Sequence, residues 1–313
     1  MATDILYRTT TGALNVWGGT KDGKDGYIHT LAVDYKNRSS NLIPPYEIKI
    51  KAHDIRQSQP RPTFKETGFE LTSHITTMTP KDFLAHETPE GKDRLNNVYF
   101  EECRRLVMEI TGCATAVYTS YRVRDDFDTS VRAVPKMDQK TKVKADGPRP
   151  LAHVDRDYTT ALHALKLAVG EERAEGLVNS SKRWAQVNVW RPFGNVCQRW
   201  PLAFLMHGDI PDWDYDKYCG RIYNFNDPRV ESRGEKSYDT LLKEDPRYVY
   251  YYASNQMPDE AWVFSAFDSN PSMCIPHSAF WDDNTPLDAP PRATIEVRFM
   301  AFWPKEEAEQ YGQ

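Results

Sequence analysis

A series of short apolar runs with a period of two fills the second half of the chain, and it constrains the fold more than any other feature. Trp184 to Arg191 reads WAQVNVWR. On a strand this puts Gln186, Asn188 and Trp190 on one face and Val187, Val189 and Arg191 on the other. Pro201 to Met206, Tyr248 to Tyr252, Ala261 to Phe267 and Ile295 to Trp303 continue the series, and Ala114 to Val123 reads as a strand ahead of it. Two helices are predicted. One covers 92–112, where Leu95, Val98, Leu106, Val107 and Ile110 fall near a 3.6 period and Gly112 supplies a stop. The other covers 157–175, with Ala161, Leu162, Leu165, Leu167 and Ala168 as its stripe. Helices in front and many short strands behind predict a mainly β protein with flanking helices, built as a β-sandwich.

The first 90 residues are polar and turn-rich, with Gly18-Gly19, Asp22-Gly23, Asp25-Gly26, Pro44-Pro45 and a strand-like run from Tyr27 to Val33. They read as an N-terminal extension packed on a core of 91–304, the whole 1–313 forming one domain. Residues 125–150 are charged and carry the run Lys136 to Lys144. They suit either a lid or a plain solvated loop.

With 313 residues the chain can bury a substantial core, and its net charge of −5 favours neither nucleic acid nor a membrane surface as partner. The five cysteines are odd in number, widely spaced and without a CxxC pair, which fits free thiols in a reducing compartment. No secretory signal and no run of about 20 apolar residues is visible. A cytoplasmic location is expected.

The chemistry resides in a split triplet. His153-Val154-Asp155 places an imidazole and a carboxylate two residues apart, hence on one strand face. His277, in Ile275-Pro276-His277-Ser278, sits at the entrance to a turn. Two imidazoles and one carboxylate on one face of a metal leave its other positions open, which suits non-haem Fe(II). A second HxD, His207-Gly208-Asp209, competes, but Gly208 and the following Ile210-Pro211 read as a turn, so His153 and Asp155 are preferred. Downstream, Arg292, Thr294 and Arg298 share a strand face. A guanidinium with a neighbouring hydroxyl can grip the far carboxylate of a dicarboxylate co-substrate. Arg298 can join that grip, or pair with an acid such as Asp268 or Glu296. Asn188, costly to bury without partners, can contact the co-substrate or a ligand carboxylate, or be a satisfied core residue. Tyr118, Tyr121 and Tyr250 to Tyr252 can line a substrate pocket or simply fill the core.

Six blocks, taken in order, resemble a known family: Ala152-His153-Val154-Asp155, Asn188-Val189-Trp190-Arg191-Pro192, Pro201-Leu202-Ala203, Phe267-Asp268-Ser269, Pro276-His277-Ser278-Ala279-Phe280 and Pro291-Arg292-Ala293-Thr294-Ile295-Glu296-Val297-Arg298. They are similar to the fungal asaB hydroxylase/desaturase family, which includes gibberellin desaturases and is related to the cephamycin methoxylation protein. The resemblance spans roughly residues 95–304. It implies a double-stranded β-helix, or jelly-roll, core. It also implies an oxygenase that uses Fe(II), 2-oxoglutarate and O2 on a small molecule of secondary metabolism. His153, Asp155 and His277 carry over as iron ligands and catalytic residues. Arg292 with Thr294 matches an Arg-x-Ser pair that holds the distal carboxylate of 2-oxoglutarate, with Asn188 and Arg298 as further candidates for cofactor contact. His207 departs from the family's pattern and adds a polar group expected near the site.

Two other readings of the residues stand beside this one. One is a metal-dependent dioxygenase or isomerase that does not use 2-oxoglutarate. The other is a non-catalytic jelly-roll binder of small molecules. The expected partner is a small-molecule substrate, with neither nucleic acid nor membrane. The oligomeric state is open, a homodimer being one option, and the sequence does not separate hydroxylation from desaturation or cyclisation.

Overall fold

The computed structural model describes residues 9–29, 40–125, 147–225 and 238–305. In chain order its strands are β1 (Thr9–Val16), β2 (Gly26–His29), β3 (Tyr46–Asp54), β4 (Phe69–Ser73), β5 (Thr115–Asp125), β6 (His153–Val154), β7 (Ser181–Pro192), β8 (Leu202–Leu205), β9 (Cys219–Phe225), β10 (Tyr238–Leu242), β11 (Tyr250–Tyr252), β12 (Glu260–Asp268), β13 (His277–Ala279), β14 (Trp281–Asp282) and β15 (Ala293–Pro304). They form two sheets. One has ten strands in the order β14-β1-β3-β11-β8-β13-β6-β10-β9-β2, the other five in the order β4-β12-β7-β15-β5. The protein is mainly β, as expected. The N-terminal strands β1 and β3 are woven into the larger sheet between β14 and β11.

The smaller sheet is covered on both faces, which is why β7 and β12 are almost continuously buried. Val187, Val189, Val263, Ile295, Val297 and Phe299 point to one side. There they meet the helix α1 (Phe100–Thr111), whose Phe100, Cys103, Leu106 and Val107 form its buried stripe. Trp190, Trp262 and Phe264 point to the other side and meet Phe204 and Leu202 of β8 in the larger sheet. Burying side chains of this size stabilises the pairing of the layers by roughly 1.5–3 kcal/mol each.

The predicted helix at 92–112 is present in pieces: a turn at Pro89–Arg94, a widened π-type turn at Leu95–Tyr99, then α1. Gly112 ends it with φ of 67°, the left-handed stop expected of glycine there. The second predicted helix is two. Helix α2 (Tyr158–Val169) is capped by Asp157, whose side chain accepts from the Thr160 amide at 2.8 Å, and α3 (Glu171–Asn179) follows. Gly170, at φ 85° and ψ 161°, separates them in a conformation that essentially only glycine adopts. The apolar stripe read from the sequence ends at Ala168, before this break, so it did not show where one helix stops and the next begins.

The expected strand from Tyr27 starts as β2 and reaches His29 within the described residues. The charged run Lys136 to Lys144, proposed as a lid or loop, lies outside them.

Candidate metal centre

Strands β6 and β13 are neighbours, and the register sets His153 directly opposite His277. Asp155 follows at the end of β6. Ligand atoms of His153, Asp155 and His277 all lie within 4.8 Å of one another. The His153 Nε2 is 3.2 Å from Asp155 Oδ1, and the His277 Nε2 is 3.9 Å from the same oxygen. Each Nδ1 meets a backbone carbonyl two residues back: Leu151 O at 2.6 Å for His153 and Ile275 O at 3.1 Å for His277. A carbonyl only accepts, so each Nδ1 carries the proton and each Nε2 presents a lone pair toward the carboxylate. Both rings therefore have the tautomer and aim that metal ligation requires.

The electrostatics agree with this assignment. Burial pushes the His153 imidazolium down to a pKa of about 4, with Arg149 adding to the shift, so the ring is neutral at pH 7. Burial alone would raise the Asp155 carboxyl. The Arg298 charge and the two imidazoles outweigh it and hold that group well below the usual carboxylate range. Two imidazoles, that of His153 held neutral, and a carboxylate that stays ionised form a donor set that fits Fe(II).

Around the triad the small sheet supplies a support. Asn188 Nδ2 donates to Asp155 Oδ2 at 2.8 Å, and Gln186 Nε2 donates to Asn188 Oδ1 at 3.1 Å. Arg156 Nε donates to Gln186 Oε1 at 2.6 Å, closing a chain of three side chains behind the carboxylate. Asn188 thus contacts the Asp155 carboxylate, one of the partners considered for it. Arg298 Nε lies 3.5 Å from Asp155 Oδ2, and its Nη2 pairs with Glu296. Asp268, the other acid considered for Arg298, pairs instead with Arg183 at 2.6 Å.

A cavity of about 240 Å³ opens on the triad. Its wall includes His153, Asp155, His277, Arg292 and Arg298. Arg292 is 4% exposed. Its Nη1 donates to Trp200 O at 2.5 Å, and its guanidinium lies 5.2 Å from the centre of the Trp190 ring. Thr294 is buried on β15, two residues after Arg292, and does not form part of the cavity wall.

His207 is elsewhere. Its Nε2 meets Cys274 O at 3.2 Å, and its ring stacks on Trp213 at 4.5 Å. It belongs to a short 3-10 turn, His207–Asp209, as the glycine suggested, and not to the cavity wall. None of the aromatic candidates for a substrate pocket is in this cavity's wall; Tyr118, Tyr121 and Tyr251 are half-buried against the core and Tyr250 and Tyr252 are within it. Tyr118 stacks on Phe100 at 4.4 Å, Tyr121 donates to His86 O, and Tyr250 and Tyr252 are buried among Leu14, Ile50 and Phe280.

Sequence reasoning overlooked several wall residues: Arg122, Arg124 and Arg149, with Asp239 and His163. Arg122 and Arg124 carried a usable signal, since they are two apart on a predicted strand. His163 gave none, because a buried histidine on an apolar helix looks the same whether it faces core or cavity.

Known proteins resemble this chain over nearly its whole length. A family model described as "Oxidoreductase/YMDC permease-like domain" matches residues 14–302. No helix among the described residues is long and apolar enough to cross a membrane. "Oxidoreductase R1" of Phoma sp. is 44% identical over 97% of this chain and 100% of its own length. "Hydroxylase/desaturase efuI" of Hormonema carpetanum is 26% identical over 99% of this chain and 100% of its own. The solved structure of the iron and alpha-ketoglutarate-dependent endoperoxidase NvfI superposes with a TM-score of 0.73, covering 95% of this chain and 99% of that one at 21% identity, a likeness of fold. The chain therefore belongs to the oxidoreductase family that this model describes, alongside the fungal oxidoreductase R1 and related to the asaB-like hydroxylase/desaturases.

Proposed function

We propose that this oxidoreductase is an Fe(II)- and 2-oxoglutarate-dependent oxygenase that hydroxylates, desaturates or oxidatively cyclises a small molecule of secondary metabolism. The observation that carries the reading is the cross-strand pair His153–His277 with both Nε2 atoms turned toward Asp155. The two sheets are then the two layers of a double-stranded β-helix, and β6 and β13 bring the ligands to its open side.

Iron with 2-oxoglutarate and O2 would supply the oxidising power for breaking a C–H bond. The chain's own contribution is to hold and orient. His153, Asp155 and His277 would ligate the metal. The Leu151 and Ile275 carbonyls fix the two rings, and Asn188 and Arg298 fix the carboxylate. Arg292, which reaches the cavity wall and is positioned by its bond to Trp200 O, would take the distal carboxylate of 2-oxoglutarate. Trp190 and Leu202 add apolar surface to a wall that is otherwise mostly polar. Thr294 is too deeply set to line the cavity, so its role in this reading is to support the strand beside Arg292.

The test is anaerobic addition of Fe(II) and then 2-oxoglutarate, watched for a weak visible charge-transfer band, followed by O2 and measurement of succinate. Iron binding without a band would defeat the co-substrate part of the reading. Failure to bind iron at all would defeat the whole of it.

A further inference from the structure

We propose that one stripe of helix α2 selects the substrate, and that the part of the substrate lying on it is an apolar skeleton remote from the carbon that reacts. It rests on the oxygenase reading above and adds to it a substrate class: a small molecule with a hydrocarbon body about 10 Å long, the length of two helical turns. The stripe is Thr160, His163, Ala164 and Leu167, all in the wall of the cavity that opens on the triad.

The helix itself places the stripe. Positions i, i+3, i+4 and i+7 fall on one face of an α-helix, and those are the spacings from Thr160 to Leu167. Ala161 and Leu165, on the adjoining face, are buried against Trp184, Phe267, Met300 and Phe302. One face of α2 therefore packs on the small sheet, and the next looks into the cavity. The start of the helix is tied to the metal centre. Arg156 donates to Thr160 O at 3.2 Å and also to Gln186 Oε1, in the chain of side chains that supports Asp155.

Strand β7 fixes where the stripe lies relative to the triad. Trp184, Gln186, Asn188 and Trp190 share one of its faces. Asn188 holds Asp155. Trp190, two residues on and roughly 7 Å away, lies beside Arg292. Trp184, four residues the other way and roughly 13 Å from Asn188, packs against α2. The candidate clamp for 2-oxoglutarate and the helix thus flank the triad on opposite sides. A co-substrate seated toward Arg292 leaves the α2 side for the substrate. Along the stripe Thr160, His163 and Ala164 are buried, whereas Leu167 is 59% exposed although it belongs to the wall. A single exposed leucine on open surface needs no explanation. This one is in line with the cavity face of its helix, one turn beyond Ala164, whose small side chain leaves room above the stripe. An apolar body laid there would remove the leucine surface from water.

The experiment uses the anaerobic protein loaded with Fe(II) and saturating 2-oxoglutarate, so that the Arg292 side is filled. The neutral fluorophore N-phenylnaphthylamine reports apolar binding, and hexanol, octanol and decanol are titrated in to displace it. We expect affinity to rise about two- to fourfold for each added methylene, fourfold being full burial. Leu167→Gln should lower the affinity for decanol about fivefold or more and flatten the dependence on chain length. Because Leu167 is exposed, this variant should keep the wild-type thermal midpoint and the wild-type affinity for 2-oxoglutarate, read from the visible band. Leu167→Met should restore decanol binding. Ala164→Phe should fill the space above the stripe and cost about tenfold or more in decanol affinity. The assignment is overturned if affinity does not depend on chain length, if Leu167→Gln or a folded Ala164→Phe binds decanol as the wild type does, or if decanol displaces 2-oxoglutarate. Leu167-dependent binding in a protein that shows no charge-transfer band would overturn the co-substrate reading and leave the stripe standing.

Discussion

Asn188 Nδ2 donates a 2.8 Å hydrogen bond to Asp155 Oδ2, while Asp155 Oδ1 faces the two histidine Nε2 atoms. One carboxylate oxygen is thus fixed by the central strand of the small sheet, and the other faces the position a metal would take. Outer partners of this kind typically govern metal affinity by about 10–100-fold. Asn188→Ala should weaken Fe(II) binding by that order, because it both frees the carboxylate to rotate and leaves Gln186 without its acceptor. An anaerobic metal-competition titration checks this. Unchanged affinity would mean that Asn188 only fills space.

The two HxD motifs can be separated directly. His153→Ala and His277→Ala should each abolish iron-dependent turnover and lower metal stoichiometry. His207→Ala should retain metal binding, since its ring is engaged with Trp213 and Cys274 O. Loss of iron in His207→Ala with iron retained in His153→Ala would reverse the assignment.

The His277 ring is wedged by aromatics, with Phe264 at 4.6 Å and Phe204 stacked at 6.2 Å between ring centres. Phe264 is fully buried. Phe264→Ala should cost about 3–5 kcal/mol in stability and should also weaken metal binding, because the cavity lets the imidazole tilt. Chemical denaturation and the same metal titration give the two readouts. A stability loss with no change in metal affinity would show that the strand backbone alone positions His277.

Acid sensitivity should have an identifiable contributor away from the triad. Burial, with the Arg191 charge adding to it, holds His74 down to about 4, against an ordinary value of 6.5. The unfolded chain therefore binds a proton between these values that the folded chain refuses, so stability is fully present above about pH 6.5 and falls as the pH drops toward about 4. The most this one group can contribute is on the order of 3 kcal/mol. His74→Gln should flatten the stability profile in that window. An unchanged slope in metal-free protein would assign the acid sensitivity to other groups.

Gly170→Ala tests the break between α2 and α3. A Cβ there meets nothing within 4 Å, so its cost is one of backbone conformation alone. At φ 85° and ψ 161° that cost should be about 1–3 kcal/mol, seen as a lower thermal midpoint with metal affinity unchanged. A neutral substitution would mean that the two helices tolerate merging.

Period-two patterning was enough to read β7, β12 and β15 from the sequence, because the small sheet is built from long strands whose alternate residues meet different layers. The ligand types were legible too: HxD on a strand end and a distant histidine have few other uses in combination. Register was not legible. Nothing local says that His277 falls opposite His153, or that Arg122 is level with Glu296, since pairing partners are chosen by how whole sheets bury their apolar faces. For the same reason the sequence could not decide whether Arg298 would meet a co-substrate or pair with Asp268 or Glu296, whether Thr294 would reach the cavity, or whether Tyr118 and Tyr250 would line a pocket or a core. The sequence by itself determined the long strands of the second half and the candidate donor types. The tertiary structure decided which donors meet, what holds them, and which face of α2 lines the cavity beside them, because those depend on contacts between elements far apart in the chain.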